Sequence, residues 1–100
     1  MKATIIVIPV AKAKPGEKAK LEQALREVAA PTGAQPGYVS FSLYRRAGER
    51  TVMVGLDRWT FAEAHDKHLQ GAHVQALLSK MAGILAEPPE MVSYEVVDEA

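Results

Sequence analysis

Residues 56–73 read LDRWTFAEAHDKHLQGAH and contain the single tryptophan and all three histidines of the chain. An apolar run that ends at Trp59 changes here into the pattern of an amphipathic helix. Thr60 and Glu63 have the spacing of a capping box, in which each side chain bonds a free amide of the first helical turn, so we expect the helix to begin at Thr60. These residues predict a strand that runs directly into a helix.

The predicted helix carries imidazole side chains on its apolar face. At roughly 100° per residue, one face is shared by Phe61, His65, His68 and Leu69. Two imidazoles then point the same way as the apolar stripe. A few polar groups among apolar walls are the usual composition of a small-molecule site.

Length and composition exclude several classes of protein. The 100 residues predict one domain, residues 1–100. Twelve basic and twelve acidic residues cancel without forming blocks, which argues against nucleic acid and against an anionic membrane as partners. The absence of cysteine excludes disulfides, a thiolate nucleophile and zinc–thiolate sites. The apolar run at residues 3–10 is too short to cross a bilayer and lacks a signal-type cleavage site, so we expect a cytoplasmic protein.

The order of the predicted elements indicates the fold. Apolar alternation or β-branched runs predict strands at residues 3–10, 38–45, 51–59 and 91–97. Helical spacing predicts one helix after Pro15 and a second helical region from Thr60, which is interrupted at Gly71 and carries an apolar stripe as far as Leu85. Proline and glycine predict a loop at residues 31–37. The order βαββαβ is that of an α+β, ferredoxin-like fold with an antiparallel sheet and its helices on one face.

The first strand is apolar on both faces. Ile5 and Val7 lie on one side, and Ile6, Ile8 and Val10 lie on the other. Solvent on the helix-free face would leave a large apolar patch. We therefore expect a homodimer in which two such faces pack together.

Several of these segments together resemble one known family. They are Lys14-Pro15-Gly16, Pro36-Gly37, Asp57-x-Trp59, and residues 64–74 with His68 and His73. In this set the chain resembles the antibiotic biosynthesis monooxygenase domains, including the quinol monooxygenase-type members, which are dimeric α+β barrels. Relatives usually have Glu where this chain has Asp57. The haem-degrading relatives rely on an Asn of the first strand, and this chain contains no Asn, which argues against haem breakdown.

The resemblance implies a cofactor-independent monooxygenase that oxidises a small electron-rich phenol or hydroquinone with O₂. His68 is the candidate base, Trp59 a wall against the substrate ring, and Asp57 or His65 an orienting partner. The candidate substrate-binding residues are His65, His73, Tyr38, Tyr44 and Phe61. We expect no metal, because His65 and His68 lack further clustered ligands.

Each candidate also has a purely structural interpretation. His68 could be a buried structural histidine, and His73 could lie at a helix start without contacting a ligand. Trp59 could be core, Asp57 could form a salt bridge, and Tyr38 and Tyr44 could form a cross-strand pair.

The functional interpretation predicts one shared cavity. Trp59, His65 and His68, with Tyr38 or Tyr44, should line it between the sheet and the helices, and burial should hold His68 neutral. Two other functions stay open at this point. One is a non-catalytic dimeric module that binds a small aromatic or carbonyl metabolite, and the other is isomerase or lyase chemistry on a small oxygenated metabolite.

Overall fold

Four antiparallel strands form one sheet in the computed structural model, which describes residues 2–99. The strands lie in the order β2-β3-β1-β4. Their bounds are Ile5–Lys12 for β1, Tyr38–Arg45 for β2, Val52–Trp59 for β3 and Glu90–Glu95 for β4. The helices are α1 (Lys18–Glu27), α2 (Ala29–Gly33), α3 (Ala62–Gln70) and α4 (Ala72–Met81). This is the predicted ferredoxin-like α+β order with one additional short helix, and the predicted break at Gly71 separates α3 from α4.

The central strand β3 has the predicted alternation of buried and half-buried residues. Met53, Asp57 and Trp59 are buried on the side that the helices cover, because every second side chain of a strand points to the same face. Trp59 pairs across the sheet with Ile5 of β1 and with Tyr38 of β2. The strand therefore delivers a carboxyl and an indole to the space under the helices.

The sequence predicted a loop at residues 31–37, but part of the segment between α1 and β2 is helical. Residues Ala29–Gly33 form α2. Pro31 fits there because it lies in the first turn, where a helix does not use the backbone N–H that proline lacks. The predicted helical stripe is also too long, since α4 ends at Met81 and Leu85 instead pairs with Ala13 beyond the end of β1.

The predicted capping box is wrong. Phe61 has an extended backbone, and α3 begins after it at Ala62, without a side-chain cap. Thr60 instead uses its amide and its hydroxyl, at 2.9 and 3.3 Å, to bond the carbonyl oxygen of Gly37. Thr60 therefore joins the end of β3 to the loop before β2 and leaves the helix terminus free.

Two apolar clusters hold the helices on the sheet. Around Leu21 and Met81 lie Ala11, Ala13 and Met53, which join α1 and α4 to β1 and β3. Around Trp59 lie Val7 and Ala64, which join α3 to the same strands. None of the helices in the part of the chain described has the length and apolar character needed to cross a membrane.

Gly37 lets the loop before β2 lie directly on α3. Its φ is +84°, in the left-handed region, and a Cβ built there would stand 2.4 Å from the Cβ of Ala64. Both the backbone conformation and the space thus require glycine at this position.

We expect Gly37→Ala to lower the free energy of unfolding by roughly 3 kcal/mol, through left-handed strain and steric overlap together. Gly48→Ala is the matched control, because Gly48 has a φ of +85° but nothing within 4 Å of a built Cβ, so only the strain of about 1 kcal/mol applies. Urea denaturation of both variants measures the difference. Equal losses in the two variants would show that the contact with Ala64 is unimportant.

Candidate functional site

A cavity of about 170 Å³ lies between the sheet and the helices. Most of its wall is apolar and includes Leu25, Phe41, Leu43, Met53, Val74 and Leu77. Leu78 and Met91 also line the cavity and are nearly half exposed, which places its opening beside them. An apolar cavity of about 150 Å³ is known to take benzene, so this space suits a ligand with one aromatic ring.

Asp57, His65 and His68 supply the charged or titratable groups at the inner wall. Asp57 comes from β3, two residues before Trp59, and the histidines come from successive turns of α3. All three side chains are at most 8% exposed. The Oδ1 atom of Asp57 and the Nε2 atom of His65 are fully buried and have no hydrogen-bond partner among residues 2–99. Unpaired buried polar atoms are rare in folded proteins, and on residues that line a cavity they mark a candidate functional site.

Trp59 lies behind the histidines and does not line the cavity, contrary to the sequence prediction. Its side chain is completely buried. The indole lies 4.9 Å from the ring centroid of His68 and 5.8 Å from that of His65. Tyr38 meets the indole edge-on at 5.9 Å. The indole therefore packs against both imidazoles on the side away from the cavity.

Partners from the α2 region hold the rings of His68 and His73. The Nδ1 atom of His68 lies 2.6 Å from Oε1 of Gln35, and Nε2 of His73 lies 3.2 Å from Oγ1 of Thr32. Neither partner was predicted from the sequence, because residues 31–37 were expected to form a loop. The signal that could have found them is a buried threonine and a polar amide in an otherwise apolar and small-residue segment.

Burial shifts the pKa values of the groups on the cavity wall. It raises the pKa of Asp57 from 3.8 to about 6, although the nearby indole N–H of Trp59 opposes the shift without reaching hydrogen-bond geometry. Burial, with the neighbouring rings of His65 and His73, lowers the pKa of His68 from 6.5 to about 4. Burial also lowers the pKa of His65, against the charge of Asp66. His68 is therefore neutral at physiological pH, as predicted.

The other predicted site residues do not line the cavity. A β-bulge at residues 38–40 shifts the register of β2 and places Tyr38 opposite Trp59, on the helix side of the sheet. Tyr44 is 54% exposed and pairs with Val54 on the helix-free face. Phe61 is 49% exposed because its extended backbone precedes α3. His73 lies 5.6 Å from His68, outside the cavity wall. Within residues 2–99, no three potential ligand side chains are grouped to hold a metal ion.

Comparison with known sequences identifies related proteins. Residues 4–80 match the model of a family described as antibiotic biosynthesis monooxygenase. YcnE of Bacillus subtilis, provisionally named a monooxygenase, is 24% identical over 92% of this chain and 97% of its own length. An uncharacterised Synechocystis protein is 26% identical over 94% of this chain, but the chain spans only 64% of that relative.

Solved structures share the fold. Rv0793 from Mycobacterium tuberculosis gives a TM-score of 0.90, with 23% identity and coverage of 98% of this chain and 99% of that chain. A Nitrosomonas europaea protein, provisionally named an antibiotic biosynthesis monooxygenase, gives a TM-score of 0.89 at 20% identity, covering 97% and 94% of the two chains. At these identities the likeness establishes the fold alone.

Because its pKa is raised in the folded protein, Asp57 lowers the free energy of unfolding once it is ionised. Between pH 3.8 and about 6 the unfolded chain loses the proton while the folded protein keeps it, so stability falls as pH rises. This cost reaches up to about 3 kcal/mol at pH 8. His68 has the opposite effect, because its lowered pKa adds stability as pH rises from about 4 to 6.5.

We expect the free energy of unfolding of Asp57→Asn, relative to that of wild type, to increase by up to about 3 kcal/mol from pH 4 to pH 8, because the amide has no proton to lose. Comparing the two proteins cancels most of the contribution of His68. Urea unfolding at both pH values measures the gain, and Asp66→Asn, which removes an exposed carboxyl on α3, controls for the lost charge. A difference that does not change with pH would contradict the raised pKa.

Proposed function

The chain belongs to the antibiotic biosynthesis monooxygenase family, and on that premise we propose that it is a cofactor-independent monooxygenase that oxidises a small electron-rich phenol or hydroquinone with O₂. The family and the relative from Bacillus subtilis indicate a monooxygenase-like function. The substrate class and the mechanism are our proposal, and they rest on the chemistry of the cavity.

The observation that carries the proposal is that Asp57 and His68 both line the same, mostly apolar cavity. A carboxylate and a neutral imidazole nitrogen both accept hydrogen bonds. No Lys or Arg is among the described residues that line the cavity. Such a site favours an uncharged aromatic ligand that brings its own hydroxyl donors, and it disfavours carboxylates and phosphates.

The two pKa values favour Asp57 as the proton acceptor. A general base works best when its pKa lies near the working pH. Asp57, with a pKa of about 6, is therefore a better base at neutral pH than His68, with a pKa of about 4. In the mechanism that we propose, Asp57 takes the phenolic proton and His68 accepts a hydrogen bond from the substrate. This reverses the roles that the sequence analysis gave to the two residues.

The reaction asks little more of the protein than this proton transfer and an apolar enclosure. Transfer of the phenolic proton to Asp57 leaves the substrate as a phenolate. The phenolate passes one electron to O₂, and the resulting superoxide and phenoxyl radical combine at a ring carbon. Loss of water from the peroxide leaves one oxygen atom on the ring as a quinone oxygen. The substrate supplies both hydrogens of that water, and no external reductant is consumed. The apolar wall keeps water away from the radical pair.

We also propose that the protein acts as a homodimer. Ile6, Ile8 and Leu56 are only half buried on the helix-free face of the sheet, and Tyr94 there is exposed. A second copy of the same face would bury this apolar strip with twofold symmetry.

Sedimentation velocity at micromolar concentration should therefore give twice the chain mass. Ile8→Glu, at the centre of the face, should shift the protein to monomer, because the dimer would bury an unpaired charge. Lys20→Glu, on the exposed face of α1, is the control and should leave the dimer intact. A wild-type monomer at this concentration would remove the proposal.

Oxygen consumption with phenol, 1,4-dihydroxybenzene and 1,4-dihydroxynaphthalene tests the activity, against the rate of spontaneous oxidation without protein. We expect kcat/KM to rise with pH through about 6, as Asp57 ionises. Asp57→Asn should lower kcat by about 10² or more, the usual contribution of a general base, while Asp66→Asn should not.

The alternatives have distinct outcomes. No oxygen uptake together with a ligand-induced rise in Tm would indicate a binding module. Product formation without oxygen uptake would indicate isomerase or lyase chemistry. A rate that does not change between pH 5 and 8 would remove Asp57 as the base.

A further inference from the structure

Gln35 contacts His68 from a fixed position in the chain. The residue lies between α2 and β2, and the distance from its Oε1 atom to Nδ1 of His68 is 2.6 Å. The backbone N–H of Gln35 donates to the backbone carbonyl oxygen of Thr32 at 3.0 Å. The backbone carbonyl oxygen of Gln35 accepts from the backbone N–H of Tyr38 at 3.2 Å. The side-chain amide therefore approaches the imidazole from a backbone that is bonded on both sides.

This contact decides where the imidazole carries its hydrogen. A neutral imidazole has one N–H and one nitrogen with a free lone pair, and an amide oxygen can only accept. Because Oε1 of Gln35, and not its side-chain nitrogen, faces the ring, we infer that the hydrogen of His68 lies on Nδ1 and points at Gln35. The Nε2 atom of His68 makes no hydrogen bond within residues 2–99. Its lone pair is left for a ligand in the cavity that His68 lines.

We propose that Gln35 is a positioning residue that fixes the Nδ1–H tautomer of His68, and that this makes the cavity select ligands with a hydroxyl donor over the same ligands without one. Nε2 of His68 and the carboxylate of Asp57 are then two acceptors in one cavity. A hydroquinone can donate to both. The 1,4-quinone formed from phenol has only acceptor oxygens, so the same cavity favours its release.

The neighbouring histidines lack this arrangement. His73 meets a hydroxyl, from Thr32, which can either donate or accept and so does not select a tautomer. Nε2 of His65 has no hydrogen-bond partner within residues 2–99. His68 is thus the histidine whose ring nitrogen faces an atom that can only accept, Oε1 of Gln35, and Gln35 provides this atom without adding a charge.

The tautomer can be measured without any activity. We expect the ¹⁵N shifts of the His68 ring at pH 7 to show hydrogen on Nδ1 and a lone pair on Nε2. Gln35→Met keeps the length of the side chain and removes the acceptor, so hydrogen should redistribute to Nε2. Gln70→Met makes the same change on the exposed side of α3 and should leave the His68 shifts unchanged.

Two matched ligands test the consequence for selectivity. Phenol and anisole differ by the hydroxyl hydrogen and a methyl group, and wild type should prefer phenol. The ratio of their affinities should fall by about fivefold in Gln35→Met, the value of one neutral hydrogen bond. At a pH at which His68 is still neutral, Gln35→Glu should restore the tautomer and the preference, because a carboxylate is also an acceptor. The added charge should also raise the pKa of His68, beside which the structure places the rings of His65 and His73.

The results separate this inference from the proposed function, on which its substrate class rests. Hydrogen mainly on Nε2 in wild type, or an unchanged tautomer in Gln35→Met, would overturn the role of Gln35 whether or not the protein consumes oxygen. Should Gln35→Met fail to fold, wild type and Gln35→Glu still decide the tautomer. The measured tautomer with no oxygen uptake would leave the role of Gln35 standing and remove the oxygenase.

Discussion

The burial of the Trp59 indole is the constraint on which the site depends. The ring is completely buried where β3 ends, and it contacts Tyr38, His65 and His68. A side chain of this size can be enclosed only if the strand, the loop before β2 and α3 all dock at matching positions. The position of the His68 ring is thus set by core packing, and a site built on a rigid core holds its geometry well.

Local periodicity predicted the parts of the site that lie on one element. Alternation in β3 placed Asp57 beside Trp59, and helical spacing placed His65 with His68. What it could not predict were contacts between distant segments. The ring of His68 meets Gln35, which is 33 residues away. The capping box failed for the same reason, since the hydroxyl of Thr60 found an acceptor in another loop and local spacing does not encode that acceptor.

The arrangement of the cavity wall opposes the stability of the fold. A buried carboxyl without a hydrogen-bonding partner for Oδ1 costs free energy whenever it is ionised, and two buried imidazoles are held neutral beside it. Proteins commonly break local rules in this way where they carry out chemistry. Packing of the rest of the sheet against α1 and α4, with Leu21 and Met81 buried, offsets the cost.

The close contact between Gly37 and Ala64 determines where the molecule can open. It packs the loop that carries Gln35 against α3, the helix that carries His65 and His68. At the opposite edge of the sheet, β4 pairs only with β1, and all six of its residues are exposed. Local opening costs least where few groups are buried. The side of β4 that carries Met91 lies outside the proposed dimer face, so fluctuations that admit a ligand will concentrate there.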